Sequence, residues 1–437
     1  MGRTIDREGH ERLVAARADT RTRHPSARRP PVRHPQGKRP PTAAADGGAG
    51  ARARGKRKGK LRAGAKERAA APSGYLLLLA VVTVLCVIGL VMVLSSSSVE
   101  SLRNYGSAWL FFKRQLLWLA VGTAALVVTA RIDYRTWRKF TVPMLAGCAG
   151  LLVLVLVPNV GIAVSGSSRW LGFGSFRIQP SEFAKMAVLL FLADLLARRG
   201  DRMDDTHQTL RPVLMTFGAI AVLVMLQPDM GTTLVLGCIV MSLLFVAGTP
   251  LRHIGVVGAG AVVGAFLLGM AEPYRRARMM SFLDPWKDAA NTGYQVSQSI
   301  VGLADGGITG VGLGASRAKW GFLPNAHTDF IFTIIGEEMG LIGSALVLLL
   351  FVGVAFLGVR TAVHAPDRFG MLLAAGVTAW VAGQAFINIG AVIGMLPVTG
   401  VPLPFVSFGG SSLVILMAAV GVLLNVARQG RSPRPTS

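Results

Sequence analysis

Long apolar runs recur along this 437-residue chain from residue 75 almost to its end. Each run is close to the ~20 residues that a helix needs to cross the hydrocarbon core of a bilayer. A helix satisfies its backbone hydrogen bonds within itself, so the runs predict an all-α polytopic membrane protein and exclude an ordinary soluble enzyme. We place ten transmembrane helices at roughly 75–95, 116–130, 140–157, 181–197, 210–226, 231–248, 253–270, 330–357, 369–393 and 411–427.

The formal net charge of +24 is concentrated at the N-terminus, where the first 70 residues hold 20 of the 46 Lys and Arg. Residues 1–73 contain few large apolar side chains, so we predict a disordered basic tail. The basic run 52–60 lacks interleaved aromatic residues, and a membrane span follows it closely. This favours anchoring to the membrane surface over nucleic-acid binding, and a cytoplasmic protein partner is the remaining alternative. We expect no nucleic-acid partner.

The distribution of Lys and Arg among the short loops predicts the orientation of the spans. With the N-terminus inside, most of these residues fall in inner segments, as the positive-inside rule requires. We therefore expect both termini in the cytoplasm, including a short tail at 429–437. The membrane domain is assigned to residues 74–428. One large extracytoplasmic loop, 271–329, then separates helices 7 and 8.

Two arginines in a short outer segment depart from this charge rule. Arg169 and Arg177 flank Trp170 and precede Pro180, which fits the start of the fourth helix. The first interpretation makes Trp170 an interfacial anchor. The second makes the segment a cationic pocket for an anionic headgroup, because Arg supplies paired donors to phosphate.

Charged residues also occur early in the fourth apolar run, where lipid makes them costly. Glu182 and Lys185 are three residues apart and share one helical face. They form either a pair that satisfies itself or part of the same cationic pocket. Asp229, which starts the sixth run, is most typical of a helix N-cap.

Asp329 ends the large loop at the point where the eighth apolar run begins. Its position fits a helix cap, yet an ionised carboxylate at a water–membrane boundary also suits a general base. His327 lies two residues earlier without metal-ligand spacing around it, so we predict no metal residues. The glycine-rich run 306–314 lacks the Lys-Ser/Thr of a phosphate loop and predicts flexible turns.

The segment 396–412 combines three prolines with paired glycines and cannot form a regular helix. Irregular backbone at membrane depth must be buried in protein or line a wet cavity, so we predict a cavity wall. Ser411, near the end of the segment, is a candidate for substrate binding.

The segments 168–185, 227–233, 284–340 and 397–412 together resemble the SEDS family (shape, elongation, division and sporulation). The resemblance covers about 75–428. It implies a ten-helix membrane glycosyltransferase that polymerises lipid II into peptidoglycan. It also implies a class B penicillin-binding protein and other division proteins as partners.

By the same resemblance, Asp329 corresponds to the family's catalytic carboxylate. Arg177 and Lys185 correspond to its important basic positions, with Trp170 and Glu182 nearby. Arg169 and Ser411 complete the candidate set. The expected reaction is an inverting displacement of undecaprenyl pyrophosphate, and a divalent cation (magnesium or manganese) could share the neutralisation of its charge.

Residues 312–317 and the serine run at 95–98 are most similar to the division branch of the family. We therefore expect a multi-pass protein of the bacterial plasma membrane, acting at the division septum. An elongation polymerase and a lipid II flippase are the alternatives. A flippase predicts charged groups at the bilayer midplane, whereas the polymerase needs a carboxylate at the outer edge.

Overall fold

A computed structural model describes residues 73–164, 167–173, 176–200, 203, 205–271, 276–277 and 280–430. The predicted basic tail, including the run 52–60, lies outside the described residues. So do most of the C-terminal tail and residues 272–275 and 278–279 of the large loop.

Ten helices occupy the positions of the ten predicted spans, and the polytopic all-α architecture is confirmed. Within the described part of the large loop, a shorter helix, α8, follows α7. Numbered in chain order, the helices are α1 (Ser73–Tyr105), α2 (Leu110–Arg131), α3 (Thr141–Leu156), α4 (Pro180–Arg199), α5 (Arg211–Met225), α6 (Met230–Ala247), α7 (Leu251–Ala271), α8 (Tyr294–Asp305), α9 (Ile331–Val363), α10 (Arg368–Val392) and α11 (Gly410–Gln429).

Seven of the described helices are long and apolar enough to cross a membrane. They are α1, α2, α5 with the turn before it, α6, α9, α10 and α11; α3 and α7 are apolar but shorter. The fourth helix is different because it carries Glu182, Lys185 and Asp194. Most of its residues are nevertheless buried, so α4 is a core helix whose charges are covered by protein rather than by lipid.

Two loops at one end of the bundle are more ordered than the sequence predicts. We call this end, which carries the loop between α7 and α9, the outer end. The segment between α1 and α2 is mostly helical, since α1 continues to Tyr105 and α2 begins at Leu110. The segment between α3 and α4 forms a small antiparallel sheet in the order β1 (Ile162–Val164), β2 (Ser167–Phe173) and β3 (Phe176–Ile178).

The helices pack closely where small residues allow their backbones to approach. At the contact between α2 and α11, a methyl group on Gly421 would lie 2.4 Å from the carbonyl oxygen of Leu126. At the centre, α4 packs against α6 and α10, and Trp380 of α10 is fully buried there. This rigid core holds the ends of α4, α6, α10 and α11 together at the outer end.

Candidate functional site

The irregular segment 396–412 joins the parts of the site. Ser407 donates its hydroxyl to the carbonyl of Thr328 at 2.5 Å, and the Phe408 amide donates to the carbonyl of His327 at 3.0 Å. Gln115 of α2 donates to the Ser407 carbonyl. Val401, Leu403, Phe405 and Val406 of the same segment are buried. Protein contacts thus satisfy much of this non-helical backbone, and the segment forms a wall behind the residues that lead to Asp329.

Asp329 is half-buried and lies in a narrow crevice between the start of α9 and the irregular segment. The crevice is lined by Asp329, Asn388, Thr399, Gly400 and a few apolar neighbours. A methyl group on Gly400 would lie 3.5 Å from Oδ2 of Asp329. Since α9 begins at Ile331 with Phe330 at the N-cap position, Asp329 precedes the cap by one residue.

The two outer arginines have different environments. Arg169, in β2, donates from Nε to the carbonyl of Gln227 at 2.8 Å and from a terminal nitrogen to the carbonyl of Pro228. Its donors therefore fasten the sheet to the turn before α6. Arg177, in β3, is exposed, and its side chain has no hydrogen bond or ion pair with any residue the structure describes. Of these two arginines, Arg177 is the one with donors available to a ligand. Trp170 is half-buried beside Arg169.

Lys185 and Glu182 form a buried ion pair inside the bundle. Lys185 Nζ lies 2.9 Å from Glu182, donates to Oε1 of Gln384 at 3.2 Å, and lies 5.1 Å from the centre of the Trp380 ring. Lys185 is 1% exposed and Glu182 3%. The structure thus does not bring Arg177 and Lys185 onto one open surface, and the lysine is engaged by protein groups.

The predicted N-cap role of Asp229 is confirmed. Its carboxylate accepts hydrogen bonds from the Thr232 amide at 3.1 Å and from the Gln179 side chain at 3.0 Å. Ser181 donates to the same carboxylate at 3.1 Å. The Ser411 hydroxyl accepts from the Gln179 amide at 3.2 Å, so Ser411 ties the start of α11 to the start of α4. These contacts link the segments 168–185, 227–233 and 397–412 directly.

The glycine-rich run 306–314 is not the flexible turn that its composition suggests. Helix α9 breaks at Gly340, whose φ of 66° and ψ of −163° are non-helical. At the break, the run docks onto both broken ends. The amides of Val311 and Gly312 donate to the carbonyls of Glu337 and Glu338, respectively. In the other direction, the carbonyls of Gly307 and Ile308 accept from the amides of Leu341 and Ile342. Close approach to the backbone of α9 explains Gly306 and Gly310, and a positive φ explains Gly307, Gly312 and Gly314.

The side chains of Glu337 and Glu338 bind the next part of the loop. Both are 1% exposed. Glu337 accepts hydrogen bonds from the Ser316 hydroxyl and the Arg317 amide. Glu338 lies 3.0 Å from Lys319 Nζ and accepts from Ser95 of α1. The first turns of α9, the loop and α1 are therefore one hydrogen-bonded unit, with Asp329 just before it.

His327 has a packing environment rather than a group of metal ligands. Its ring lies between Phe111 and Phe408, with centroids 4.9 and 5.8 Å away, and its Nδ1 is 3.2 Å from Glu100. Among the described ranges, no group of three or more His, Cys, Asp or Glu could hold a metal ion. The expected divalent cation stays a prediction.

Two buried amides of α10 are missing from the candidates derived from sequence. Gln384 and Asn388 are 1% and 2% exposed and lie one helical turn apart. They contact Lys185 and the backbone of Asp329, respectively. A signal was present, because two amides four residues apart in an apolar span are unusual in lipid.

The sequence of the membrane domain matches a known protein family. A family described as cell cycle protein, which unites FtsW, RodA and SpoVE, matches residues 75–432. The chain belongs to this family. The resemblance to SEDS proteins is thereby confirmed.

Relatives of this SEDS protein cover nearly the same residues. It is 44% identical to the stage V sporulation protein E of Bacillus subtilis, over 82% of this chain and 97% of the relative. It is 43% identical to the probable peptidoglycan glycosyltransferase FtsW of Mycobacterium tuberculosis, over 82% of this chain and 68% of the relative. The enzyme class is therefore shown: the protein is a peptidoglycan glycosyltransferase.

Solved structures show the same fold. The rod shape determining protein RodA of Thermus thermophilus aligns with a TM-score of 0.61 and 26% identity, covering 81% of this chain and 97% of that one. A second solved structure is that of a peptidoglycan synthase complex and concerns its coordination of polymerisation and crosslinking. One of its chains aligns with a TM-score of 0.66 and 28% identity. It covers 80% of this chain and 97% of that chain.

Proposed function

We propose that this SEDS glycosyltransferase polymerises lipid II into glycan strands, with Asp329 as the general base. The 4-hydroxyl of one sugar attacks the anomeric carbon of another, and the bond from that carbon to undecaprenyl pyrophosphate breaks. Asp329 takes the hydroxyl proton, and the pyrophosphate leaves with the bonding electron pair. Inversion requires the base on the face opposite the leaving group, by analogy with inverting glycoside chemistry.

The observation that supports this proposal most is the convergence of separate sequence segments beside Asp329. Asn388 bonds the Asp329 backbone, Ser407 bonds that of Thr328, and the irregular segment walls the crevice. These bonds fix the backbone that carries Asp329, and a base held in place reacts without first being oriented. Asp329 is half-buried in the crevice that these segments line.

Charge on the leaving pyrophosphate needs a cation that reaches it. Arg177 is the better candidate, because its guanidinium is exposed and makes no bond to a described residue. Lys185 is paired with Glu182 and buried. Its contribution as a substrate-binding residue would therefore be indirect, through Gln384 and the shape of the site.

The same proposal extends to orientation and partners. Both termini lie in the cytoplasm and the loop between α7 and α9 lies outside, where lipid II is consumed. A class B penicillin-binding protein is the proposed partner, supported by the likeness to a chain of a peptidoglycan synthase complex. Other division proteins are further proposed partners, and the proposed location is the plasma membrane of a bacterium.

Purified full-length protein given labelled lipid II, alone and with its transpeptidase partner, tests the reaction. We expect glycan strands in detergent. Movement of lipid II between vesicle leaflets without polymer would instead identify a flippase, and inactivity in both assays would identify a scaffold.

The described charges of α4 favour the polymerase, because they lie toward the two ends of the helix rather than at its middle. Lys185 lies in its second turn with Glu182, and Asp194 near the opposite end pairs with Arg138 and Arg198.

A fluorescent fusion tests the proposed site of action in the cell. We expect a ring at midcell in dividing cells, because two segments are most similar to the division branch. Fluorescence along the lateral wall throughout the cell cycle would assign the protein to elongation instead. The catalytic proposal is independent of this result.

A further inference from the structure

Asn388 of α10 holds two distant parts of the chain together. Its Nδ2 donates to the carbonyl of Asp329 and to the carbonyl of Val401, each at 2.7 Å. Only the amino group of an amide can face two carbonyls as a donor, so these contacts fix the orientation of the side chain. The base-bearing segment and the irregular segment are thereby held at a set separation.

Gln384 repeats the arrangement one helical turn away. Its Nε2 donates to the carbonyl of Pro402 at 2.9 Å. Its Oε1 accepts from Trp380 at 2.9 Å and from Lys185 at 3.2 Å. One face of α10 therefore connects the buried ion pair of α4, the irregular segment and the backbone of Asp329.

Stability alone is a poor explanation for Asn388. A fully buried amide in a membrane helix is unfavourable unless its polar atoms are satisfied. Its Oδ1 has no hydrogen bond with any residue that the structure describes. The side chain also lines the crevice that contains Asp329. These features fit a residue retained for the geometry of the site.

We propose that Asn388 is a positioning residue for the reaction: it fixes the backbone of Asp329 against the Val401 carbonyl and so sets where the carboxylate lies in the crevice. The inference rests on the proposed role of Asp329 as base. Small displacements of a reacting group are costly, since about 1 Å can reduce a rate by about 100-fold. Loss of the Nδ2 donors should therefore reduce kcat while leaving substrate capture intact.

Asn388→Leu tests the proposal, because leucine has a similar volume and suits an apolar helix but cannot donate. Steady-state polymerisation of labelled lipid II by full-length protein, with its transpeptidase partner present, gives kcat and KM. We expect kcat to fall at least about tenfold with KM changed less than about twofold. Asn388→Ser, which keeps one shorter donor, should give a smaller loss, and it decides the question if the leucine variant does not fold.

Asn425→Leu is the matched control. Asn425 of α11 is also fully buried and also bonds backbone groups, donating to the carbonyl of Ala130 and accepting from the Tyr134 amide. Those partners belong to the end of the bundle opposite Asp329. We expect this variant to lose thermal stability and keep its kcat. Equal losses of kcat in the Asn388 and Asn425 variants would overturn the proposal, as would wild-type kcat in a folded Asn388→Leu protein.

The two proposals fail in distinguishable ways. An active Asp329→Asn protein removes the base assignment itself, whatever the Asn388 variants do. An inactive Asp329→Asn protein together with a fully active Asn388→Leu protein leaves the base in place and removes only the positioning role.

Discussion

Asp329→Asn is expected to leave a folded, membrane-inserted protein that makes no detectable glycan strands. Asparagine has the same shape but cannot take a proton from the attacking hydroxyl. Because a general base typically contributes about 10²- to 10⁴-fold, polymerisation should fall by at least about 10²-fold. Incorporation of labelled lipid II into polymer measures the loss directly. The variant should melt within a few degrees of the wild type, since the backbone bonds around the residue are unchanged.

Asp305→Asn provides the matched control for this change. Asp305 ends α8 in the same loop and is exposed, so its neutralisation alters the charge of the loop without altering the crevice. We expect near wild-type polymerisation from this control. Near-normal strand synthesis by the Asp329 variant would contradict the assignment of the base and return the residue to a role in starting α9.

Gly340→Ala is expected to disrupt folding more than any surface substitution. A φ of 66° with a ψ of −163° lies in a region that is essentially restricted to glycine, at a cost of about 1–3 kcal/mol for other residues. The added methyl would also lie 2.4 Å from both the Gly310 nitrogen and the Ile308 oxygen. We expect stability to fall by at least about 3 kcal/mol, because the loop must leave the break for the methyl to fit. Thermal melting and protease sensitivity in detergent measure the change.

Gly237→Ala in α6 separates this effect from a general intolerance of alanine. A methyl at Gly237 would have no heavy atom within 4 Å, and its backbone is helical. This control should be neutral or slightly stabilising, by about 0.5–1 kcal/mol. If Gly340→Ala melted like Gly237→Ala, the docking of the glycine-rich run at the helix break would be wrong.

The helix break also affects how the outer part of α9 is held. The piece from Ile331 to Gly340 is continued by hydrogen bonds to the loop rather than only by its own helix. Buried contacts of Glu337 and Glu338 fasten the same piece to the loop and to α1. The start of α9, where Asp329 lies, is therefore held by the loop as well as by its own helix.

Much of the fold could be predicted from the sequence because lipid imposes a simple rule on it. Apolar runs of sufficient length must become helices, and each predicted span coincides with one. Local chemistry also sufficed for Asp229, since a cap depends on residues only three positions away. The ordered segment between α3 and α4 was not predicted, because three short strands leave little pattern in a loop.

The residues of the candidate site could be predicted from the sequence, but their contacts could not. Sequence identified Asp329 and the two outer arginines, yet Arg169 bonds a backbone turn while Arg177 is exposed. For Lys185 the sequence left open a pair with Glu182 or a place in a cationic pocket, and the structure shows the buried pair. Charge and spacing do not distinguish these outcomes, because the contacts of Arg169 with Gln227 and the burial of Lys185 beside Gln384 depend on residues far away in the chain.

The sequence by itself determined the membrane-spanning architecture, the family and the residue types available for chemistry. These follow from hydropathy, local capping and short motifs, all of which act over a few residues. Only the tertiary structure decided which cation faces outward, why residues 306–314 are rich in glycine, and that Asn388 fixes the backbone of Asp329. Those properties arise where helices far apart in the chain pack together, and buried polar groups then take whichever partners the packing provides.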